Sequence, residues 1–420
     1  MNKPLVSIII PVFNGSNYMQ EAINSALQQT YDNCEVIVVD DGSTDDGLTE
    51  KIAGLYGDRI RYFRKENGGV ATAVNYGIEH MRGEYFSWLS HDDVFYPKKI
   101  ELQMEALRRS GDPYAVVHGN LDFLNMDGYV KSSVNWLGKY RQEWLENGAF
   151  SPVFLAIHGS TILLHKDNFN RVGLYDTKLK ATQDSEFLFR VMRGHRSVFL
   201  KEKLIIGRIH RQQGQKTMSC HKPEYNAMFR HFCEELSDDE MISFCGSVTG
   251  FYYQLYLLLK TCEPADEILD YLLDKLSVLA NEPDIQEVQP GNEEDLNNIY
   301  IFGAGMYGRQ LKANLSGQGI EPAGFLDNDA GKWGRSIDGL KCFSPEILKE
   351  KSFARITVAM QDPAEVEKQL KKLQGIETIP YQEIQYQMFM HCPSNRCLQD
   401  FVRQEEAGRR ADNEMVKART

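Results

Sequence analysis

The sequence lacks an apolar run long enough to span a membrane. Its longest apolar stretch, residues 251–259 (FYYQLYLLL), falls well short of the roughly 20 residues that a spanning helix needs, and it contains Gln254. The apolar run at residues 5–10 is shorter than the core of a secretory signal, and no small-residue cleavage site follows it. We therefore expect a cytoplasmic protein, whose contact with a membrane would be peripheral and at the inner face.

Closely spaced cysteines and an excess of positive charge are also missing. The 8 cysteines are scattered without a CxxC pair, which favours reduced thiols over disulfides or a zinc site. The formal net charge of −12 argues against nucleic acid as a partner. With 420 residues, of which 42% are hydrophobic, the chain is long enough for two or three globular domains.

Short apolar runs alternate with amphipathic stretches over residues 1 to about 120. This alternation predicts an α/β domain with a parallel sheet, with strands at 6–11, 35–40, 61–64, 85–89 and 115–118. Ser16 is the candidate N-cap of the first helix. Side chains suited to a ligand gather where these strands end: Phe13, Asn14, Asp40, Asp41, His91, Asp92 and Asp93. Because ligands of open α/β sheets bind at the carboxyl ends of strands, the gathering predicts a site there.

The rest of the chain divides by composition and periodicity. We expect the first domain to occupy residues 1–215, with a strand at 161–164, a helix from 183 to about 193, and a strand at 198–200 or 204–209. A helical connector is predicted at 216–296, a smaller α/β domain at 297–390 and a charged tail at 391–420. The connector has apolar faces, such as Leu255, Leu258 and Leu259, that must be buried. These faces could pack on the first domain, on the last domain or on another subunit. The last alternative would give a homo-oligomer formed through the connector or the last domain.

A glycine motif opens the last domain. In NIYIFGAGMYGRQL, a strand leads into Gly303, Gly305 and Gly308, and Asp327 follows about 20 residues later, as in dinucleotide-binding units. The remaining chain is long enough for one Rossmann-like half. A structural or regulatory role is favoured, and an NAD-linked oxidoreductase is the weaker alternative.

Four segments occur in the order typical of one enzyme family. They are LVSIIIPVFNGSNYMQEAINSALQQTYDNCEVIVVDDGSTD, ENGGVATAVNYGIEHMRGEYFSWLSHDDVFYP, VGLYDTKLKATQDSEFLFRV and GRIHRQQ. Over residues 4–215 the chain resembles inverting family 2 glycosyltransferases, which have the GT-A fold. The resemblance implies an enzyme of hexosyltransferase type. Its donor would be a nucleotide-diphosphate sugar, taken here to be a UDP-sugar, and its acceptor a glycan, a lipid-linked molecule or a protein.

The resemblance also implies roles for the residues around the donor. Asp41 matches the carboxylate that accepts the imide N–H of the base, and Pro11 and Phe13 match positions that line that base. Asn14 and His91 are expected in the same donor site. A tight turn formed by DDGS is the alternative interpretation of Asp41.

A divalent cation, Mn²⁺ or Mg²⁺, is the cofactor that the resemblance implies. Asp92 matches the final acid of the metal motif, and His210 matches a histidine that approaches the metal or the diphosphate. Ser90 stands where the family usually has the first acid, which leaves a sugar-nucleotide-binding scaffold without catalysis as an alternative. Asp93 is the candidate N-cap of a helix at 97–107.

Asp184 matches the catalytic base of the family. A single carboxylate that takes the proton from the attacking hydroxyl suits inversion by one displacement. An acid in the first turn of a helix also complements the helix dipole, so a structural role is the alternative. His158 and Ser160 lie where the family contacts sugar or acceptor.

Overall fold

A computed structural model of the chain describes residues 3–124, 130–211, 213, 217–262, 264–281, 298–317, 320–360, 364–379, 384 and 395–417. The chain separates into two compact units. Unit 1 comprises Met1–Leu137, Arg141–Glu240 and Leu255–Asp274, and unit 2 comprises Gly138–Tyr140, Met241–Gln254 and Lys275–Thr420.

Strands and helices alternate along the described residues. The strands are β1 (Val6–Val12), β2 (Cys34–Asp40), β3 (Arg61–Arg64), β4 (Tyr85–Trp88), β5 (Val94–Phe95), β6 (Val116–Leu124), β7 (Val130–Val134), β8 (Leu164–His165), β9 (Ser197–Arg208), β10 (Tyr300–Phe302), β11 (Gly324–Leu326), β12 (Ser336–Ile337), β13 (Leu340–Phe343), β14 (Ala354–Val358) and β15 (Ile376–Thr378). The α-helices are α1 (Met19–Leu27), α2 (Leu48–Gly54), α3 (Val70–His80), α4 (Lys99–Ser110), α5 (Gln142–Leu145), α6 (Phe150–Val153), α7 (Asp167–Val172), α8 (Gln183–Met192), α9 (His221–Glu235), α10 (Asp238–Cys245), α11 (Val248–Leu259), α12 (Asp266–Leu279), α13 (Met306–Gly317), α14 (Ala364–Leu370) and α15 (Asn395–Lys417).

The first sheet has the strand order β3-β2-β1-β4-β8, with β8 antiparallel and the other strands parallel. All seven residues of β1 are buried, because helices cover both faces of a central parallel strand. The register pairs Val12 with Asp40, so β1 and β2 end side by side. The side chains that follow β1, β2 and β4 therefore meet at one edge of the sheet, as predicted.

A second sheet in unit 1 has the order β5-β9-β6-β7. One bent strand, β9, replaces the two alternatives predicted at 198–200 and 204–209, and its register against β6 shifts near Asn120. The strand predicted at 161–164 begins later than expected: Leu163 forms an antiparallel bridge with Val117, and Leu164 belongs to β8. Residues Gly159–Thr161 form a 3₁₀ turn in which the Thr161 N–H donates to the His158 carbonyl, and β8 begins only at Leu164.

Ser16 does not cap the first helix, contrary to the prediction. Helix α1 begins at Met19, and the side chain of the preceding residue, Tyr18, makes no capping hydrogen bond. The N–H groups of Tyr18 and Met19 donate to the Gly15 carbonyl, so a turn intervenes between Ser16 and the helix. The Ser16 side chain instead hydrogen-bonds Asp45.

Four helices, α9 to α12, lie between residues 221 and 279, within the region expected to be a connector. Leu255 and Leu259 on α11 are fully buried within the single chain. None of the helices in the described residues is both long and apolar enough to cross a membrane.

Unit 2 contains a third sheet of order β12-β13-β11-β10-β14-β15, parallel except for the β12–β13 pair. Its parallel strands follow the doubly wound order, with β11 and β14 on opposite sides of β10. The sheet is therefore larger than the single half expected from the chain length. Two glycines allow the tight β10–α13 turn: Gly303 has a φ of 108°, and a Cβ on Gly308 would lie 1.8 Å from the Gly303 carbonyl oxygen.

Close packing between α3 and β1 gives a test of this fold. A Cβ added to Gly77 would lie 2.5 Å from Cγ2 of Ile9, so Gly77→Ala should lower the free energy of unfolding by about 1 to 3 kcal/mol. Gly54→Ala is the matched control, because nothing lies within 4 Å of a Cβ there and alanine favours a helix by up to about 1 kcal/mol. Urea denaturation measures both variants, and equal stabilities would contradict the packing.

Candidate functional site

A cavity of about 610 Å³ opens at the carboxyl ends of β1, β2 and β4 in unit 1. It brings together most of the residues singled out from the sequence. Its lining comprises Pro11, Val12, Phe13, Asp41, Asn67, Gly69, Val70, Ala73, Trp88, Ser90, His91, Asp92, Asp93, His158, Gly159, Ser160, Lys180, Ala181, Gln183, Asp184, Gln213, Thr217 and Met218.

Asp41 lines this cavity and is 3% exposed. Its Oδ1 accepts a hydrogen bond from Lys65 Nζ at 2.6 Å, and its Oδ2 accepts one from the Gly69 N–H at 2.7 Å. The Gly68 N–H lies 3.1 and 3.3 Å from the two oxygens. Asp41 therefore fixes the loop that leads into α3, in addition to facing the cavity.

Asn14 does not line the cavity, although it was expected in the donor site. Its side-chain amide pairs with Thr44: Oδ1 accepts from the Thr44 N–H at 2.7 Å, and Nδ2 lies 3.4 Å from the Thr44 hydroxyl. Asn14 has a φ of 51°, and its own N–H donates to the Ser43 hydroxyl. It ties the loop after β1 to the loop after β2, beside Phe13, which is 44% exposed at the cavity.

Asp92 lines the cavity and contacts His210, which is not among the lining residues. The Asp92 Oδ2 and His210 Nε2 atoms are 2.9 Å apart, although 118 residues separate them in the chain. His91 precedes Asp92 in the chain and packs closely against Gly15: a Cβ added to Gly15 would lie 2.9 Å from the His91 ring. Burial lowers the pKa of His91. Within the described part of the chain, no group of three or more histidine, cysteine, aspartate or glutamate side chains is arranged to hold a metal ion.

Asp93 is not a helix N-cap, because α4 begins at Lys99, after Lys98. The Asp93 carboxylate turns inward instead, where it accepts from the Ser160 hydroxyl at 2.9 Å and from the Arg208 N–H at 3.1 Å. Burial raises the pKa of Asp93 to about 6. It thereby joins the loop after β4, the 3₁₀ turn and the end of β9 around the cavity.

Asp184 lies in the first turn of α8 and lines the cavity. Gly159 lies next to the Asp184 carboxylate: a Cβ added to Gly159 would be 3.4 Å from Asp184 Oδ2. Burial raises the pKa of Asp184, while the N–H of Ser185 and the nearby His158 oppose that rise. A carboxylate with a raised pKa at the wall of a cavity is suited to accept a proton.

The charges around the cavity are unequal. Four aspartates line it, whereas Lys180 is the only lysine or arginine among its described lining residues. Lys180 Nζ donates to the Gly68 carbonyl at 2.8 Å and to the Thr177 carbonyl at 3.1 Å. Sequence reasoning assigned no role to Lys65, nor to Lys180, although Lys180 lies in the segment VGLYDTKLKATQDSEFLFRV.

In unit 2, the carboxylate that follows the glycine motif is already engaged. Asp327 Oδ2 accepts from the Ala304 N–H at 2.9 Å and from Lys332 Nζ at 2.8 Å, and Oδ1 accepts from the Asp329 N–H at 2.9 Å. These contacts pin the glycine turn to the end of β11. They weaken the case that Asp327 holds ribose hydroxyls.

Two protein families match different parts of the chain. Residues 7–168 match the family described as "Glycosyl transferase family 2", and residues 295–380 match "C2185-like, N-terminal". The first match contains the strand ends that form the cavity up to Ser160, and the second contains β10 to β15.

Several rickettsial proteins are related to the chain. An uncharacterized glycosyltransferase of Rickettsia typhi is 44% identical over 257 residues, which cover 61% of this chain and 80% of the relative. One of Rickettsia conorii is 41% identical over 292 residues, covering 68% of this chain and 47% of the relative. The chain spans less than half the length of the relatives from R. conorii, R. bellii and R. felis. The chain belongs to glycosyl transferase family 2.

A solved structure supports the fold. S. aureus TarS 1-349 in complex with UDP-GlcNAc aligns with a TM-score of 0.50 at 15% identity, covering 66% of this chain and 80% of that chain. The α/β fold of GT-A type expected from the sequence is confirmed.

The Asp41 contacts lead to a prediction about stability. Asp41→Asn should lower the free energy of unfolding by about 3 kcal/mol, because an amide cannot accept from Lys65 and the Gly68–Gly69 loop on both atoms. Asp46→Asn, at an exposed position in the loop after β2, is the control and should have no effect. Denaturant titration without ligand distinguishes them, and an unchanged stability of the Asp41 variant would show that this loop is held by other contacts.

Proposed function

We propose that the chain transfers a sugar from a nucleotide-diphosphate donor, a UDP-sugar, to a glycan, lipid-linked or protein acceptor, with inversion at the anomeric carbon and with Mn²⁺ or Mg²⁺ as cofactor. The observation that carries the proposal is the single cavity in which Asp41, Asp92 and Asp184 meet. Membership of the family and the UDP-GlcNAc complex of the TarS neighbour support a nucleotide-sugar donor.

The base of the donor would lie between Pro11, Phe13 and Asp41. Phe13 presents an exposed ring to the cavity, and an ionised carboxylate is an acceptor with about four lone-pair sites. The shortest contact of Asp41 Oδ2 is the one from Gly69, and its second contact, from Gly68, is 3.3 Å long. That oxygen retains capacity for the imide N–H of a uracil.

Electrostatics favours a cation beside the diphosphate. Lys65 balances Asp41, but Asp92, Asp93 and Asp184 share the cavity with one lysine, Lys180, so a diphosphate there would be helped by an accompanying positive ion. Asp92 and His210 offer an oxygen and a nitrogen ligand side by side, a pair that suits Mn²⁺. The donor's phosphate oxygens and water would complete the coordination, as is common for cations bound by one or two carboxylates. When bound, the ion would stabilise the charge that develops on the leaving diphosphate.

Asp184 would act as the general base. As the acceptor oxygen forms its bond to the anomeric carbon, the bond from that carbon to the diphosphate oxygen breaks, and the hydroxyl proton passes to the Asp184 carboxylate. The nucleotide diphosphate leaves with the bonding electrons. One displacement of this kind inverts the anomeric centre.

A screen of donors tests the proposed function. UDP, GDP, CMP and dTDP sugars, each with and without Mn²⁺, should be distinguished by thermal shift, since a bound ligand raises apparent stability. We expect UDP-sugars with Mn²⁺ to give the largest shift and to be transferred or hydrolysed. Binding without any turnover would support a scaffold instead, and the absence of binding by every donor would overturn the proposal.

Replacing the base should separate binding from chemistry. Asp184→Asn should lower kcat by roughly 10² or more, because it removes proton acceptance with little change of shape. UDP affinity should remain unchanged in calorimetry. Asp239→Asn, at an exposed position on α10, is the control, and near-normal turnover by the Asp184 variant would refute the assignment.

The pH dependence should follow the same carboxylate. Only ionised Asp184 can accept a proton, and burial raises its pKa above the ordinary value for aspartate, about 3.9. The loss of kcat on acidification should therefore begin at a higher pH than an unshifted aspartate would give. A profile that stays flat down to about pH 4 would contradict this role.

Removing the cation ligand should abolish metal dependence. Asp92→Ala should lose the increase in UDP affinity that Mn²⁺ gives to the native protein, because His210 alone offers one ligand. Asp58→Ala, at an exposed position, should retain that increase. Full turnover of the native protein in excess EDTA would show that no cation is needed.

A further inference from the structure

The segment just before α8 is held by a carboxylate from another helix. Glu224 lies in the first turn of α9, and its Oε2 accepts from the N–H of Ala181 at 2.8 Å and from that of Lys180 at 3.0 Å. The same oxygen lies 3.3 Å from the Thr182 N–H and 3.4 Å from the Thr182 hydroxyl. The Lys180 N–H also lies 3.0 Å from Oε1. Three consecutive backbone amides thus share one acceptor.

Glu224 itself is not among the residues that line the cavity, whereas the segment it holds is. Lys180 and Ala181 line the cavity, and α8 begins immediately after Thr182 and carries Asp184. Burial opposes ionisation of Glu224, but the amides of Ala181, Lys180 and Thr182 outweigh it and lower its pKa. The carboxylate is therefore charged at neutral pH, which strengthens its hydrogen bonds.

The other side of the segment is fixed as well. Lys180 Nζ donates to the Gly68 carbonyl, and the Gly68 and Gly69 N–H groups lie on Asp41. A continuous series of hydrogen bonds consequently runs from Glu224 on α9, through residues 180–182, to the loop at Gly68 and Gly69, which Asp41 holds. A shift of the segment would move Asp184 relative to that loop.

We propose that Glu224 is a positioning residue for sugar transfer, which fixes the segment 180–182 and thereby sets the place of the Asp184 carboxylate. This inference rests on the proposed function, because it assigns Glu224 an effect that passes through the base. It also makes α9 part of the catalytic unit, although α9 lies in the region that the sequence indicates to be a connector.

Kinetics of single and double variants test the inference. Glu224→Ala should lower kcat by about 10- to 100-fold, since a displacement of about 1 Å at a reacting group can cost 10²-fold. In an Asp184→Asn background the same change should add less than about 2-fold, because the group through which Glu224 acts is already lost. A full additional 10-fold loss in the double variant would overturn the proposal.

Two further variants separate positioning from general destabilisation. Glu224→Gln keeps one acceptor oxygen and should recover most of the kcat lost in Glu224→Ala. If Glu224 had only a structural role, the kcat of each variant would instead fall in proportion to its loss of thermal stability. Glu234→Gln, at an exposed position on the same helix, is the matched control and should leave kcat unchanged. Equal kcat in the native protein and in Glu224→Ala would refute the positioning role.

Hydrogen exchange gives a readout that does not require turnover. In the native protein the amides of Lys180, Ala181 and Thr182 should be protected, and in Glu224→Ala they should exchange at least 10-fold faster while those of β1 stay unchanged. Unchanged protection would overturn the proposal even if the enzyme is active. If the native protein turns over no donor but this exchange difference is present, the proposed function has failed while the structural contact stands.

Discussion

Four carboxylates share one cavity, and the rest of the site depends on how their charges are balanced. Asp41 is neutralised by Lys65 at 2.6 Å, whereas burial raises the pKa of both Asp93 and Asp184. Asp92 faces His210, whose charge depends on protonation. The carboxylates thus do not share one electrostatic environment, and the proposed roles of base binding, cation binding and proton acceptance depend on that difference.

The backbone around the cavity is fixed by two of these carboxylates and by Glu224, which does not line the cavity. Asp41 holds the loop before α3, Asp93 joins Ser160 to the Arg208 N–H, and Glu224 holds the segment before α8. Loops from distant parts of the sequence are therefore connected through charged acceptors and backbone N–H groups. Such hydrogen bonds are stronger than neutral ones, so they suit loops that must keep reacting groups in place.

The sheet that positions the site could be predicted because its signal is local. Apolar runs followed by polar residues indicated β1, β2 and β4, and the strand ends then had to meet. Asp40 accepts a hydrogen bond from the Tyr62 hydroxyl, whereas its neighbour Asp41 lines the cavity. Without the family resemblance, the sequence could not distinguish these two adjacent aspartates. Nor could it reveal Glu224, whose partners are backbone amides more than 40 residues away and leave no side-chain pattern.

The errors share a physical cause. Ser16 was expected to cap α1 and Asp93 to cap α4, because both residue types favour caps, but each found a tertiary partner instead. The strand predicted at 161–164 begins later than expected because the His158 ring and carbonyl accept from the N–H groups of Ser160 and Thr161, which form a 3₁₀ turn. In unit 2, Asp327 matches a dinucleotide motif by spacing, yet its carboxylate is engaged by Lys332 and Ala304.

We propose that unit 1 holds a nucleotide-diphosphate sugar between Asp41, Asp92 and Asp184. The most direct measurement is a crystal structure of the full chain grown with UDP and Mn²⁺. The account predicts uracil beside Pro11 and Phe13, and Mn²⁺ between Asp92 and the diphosphate. UDP bound at the Gly303 turn of unit 2, with the cavity of unit 1 empty, would contradict it.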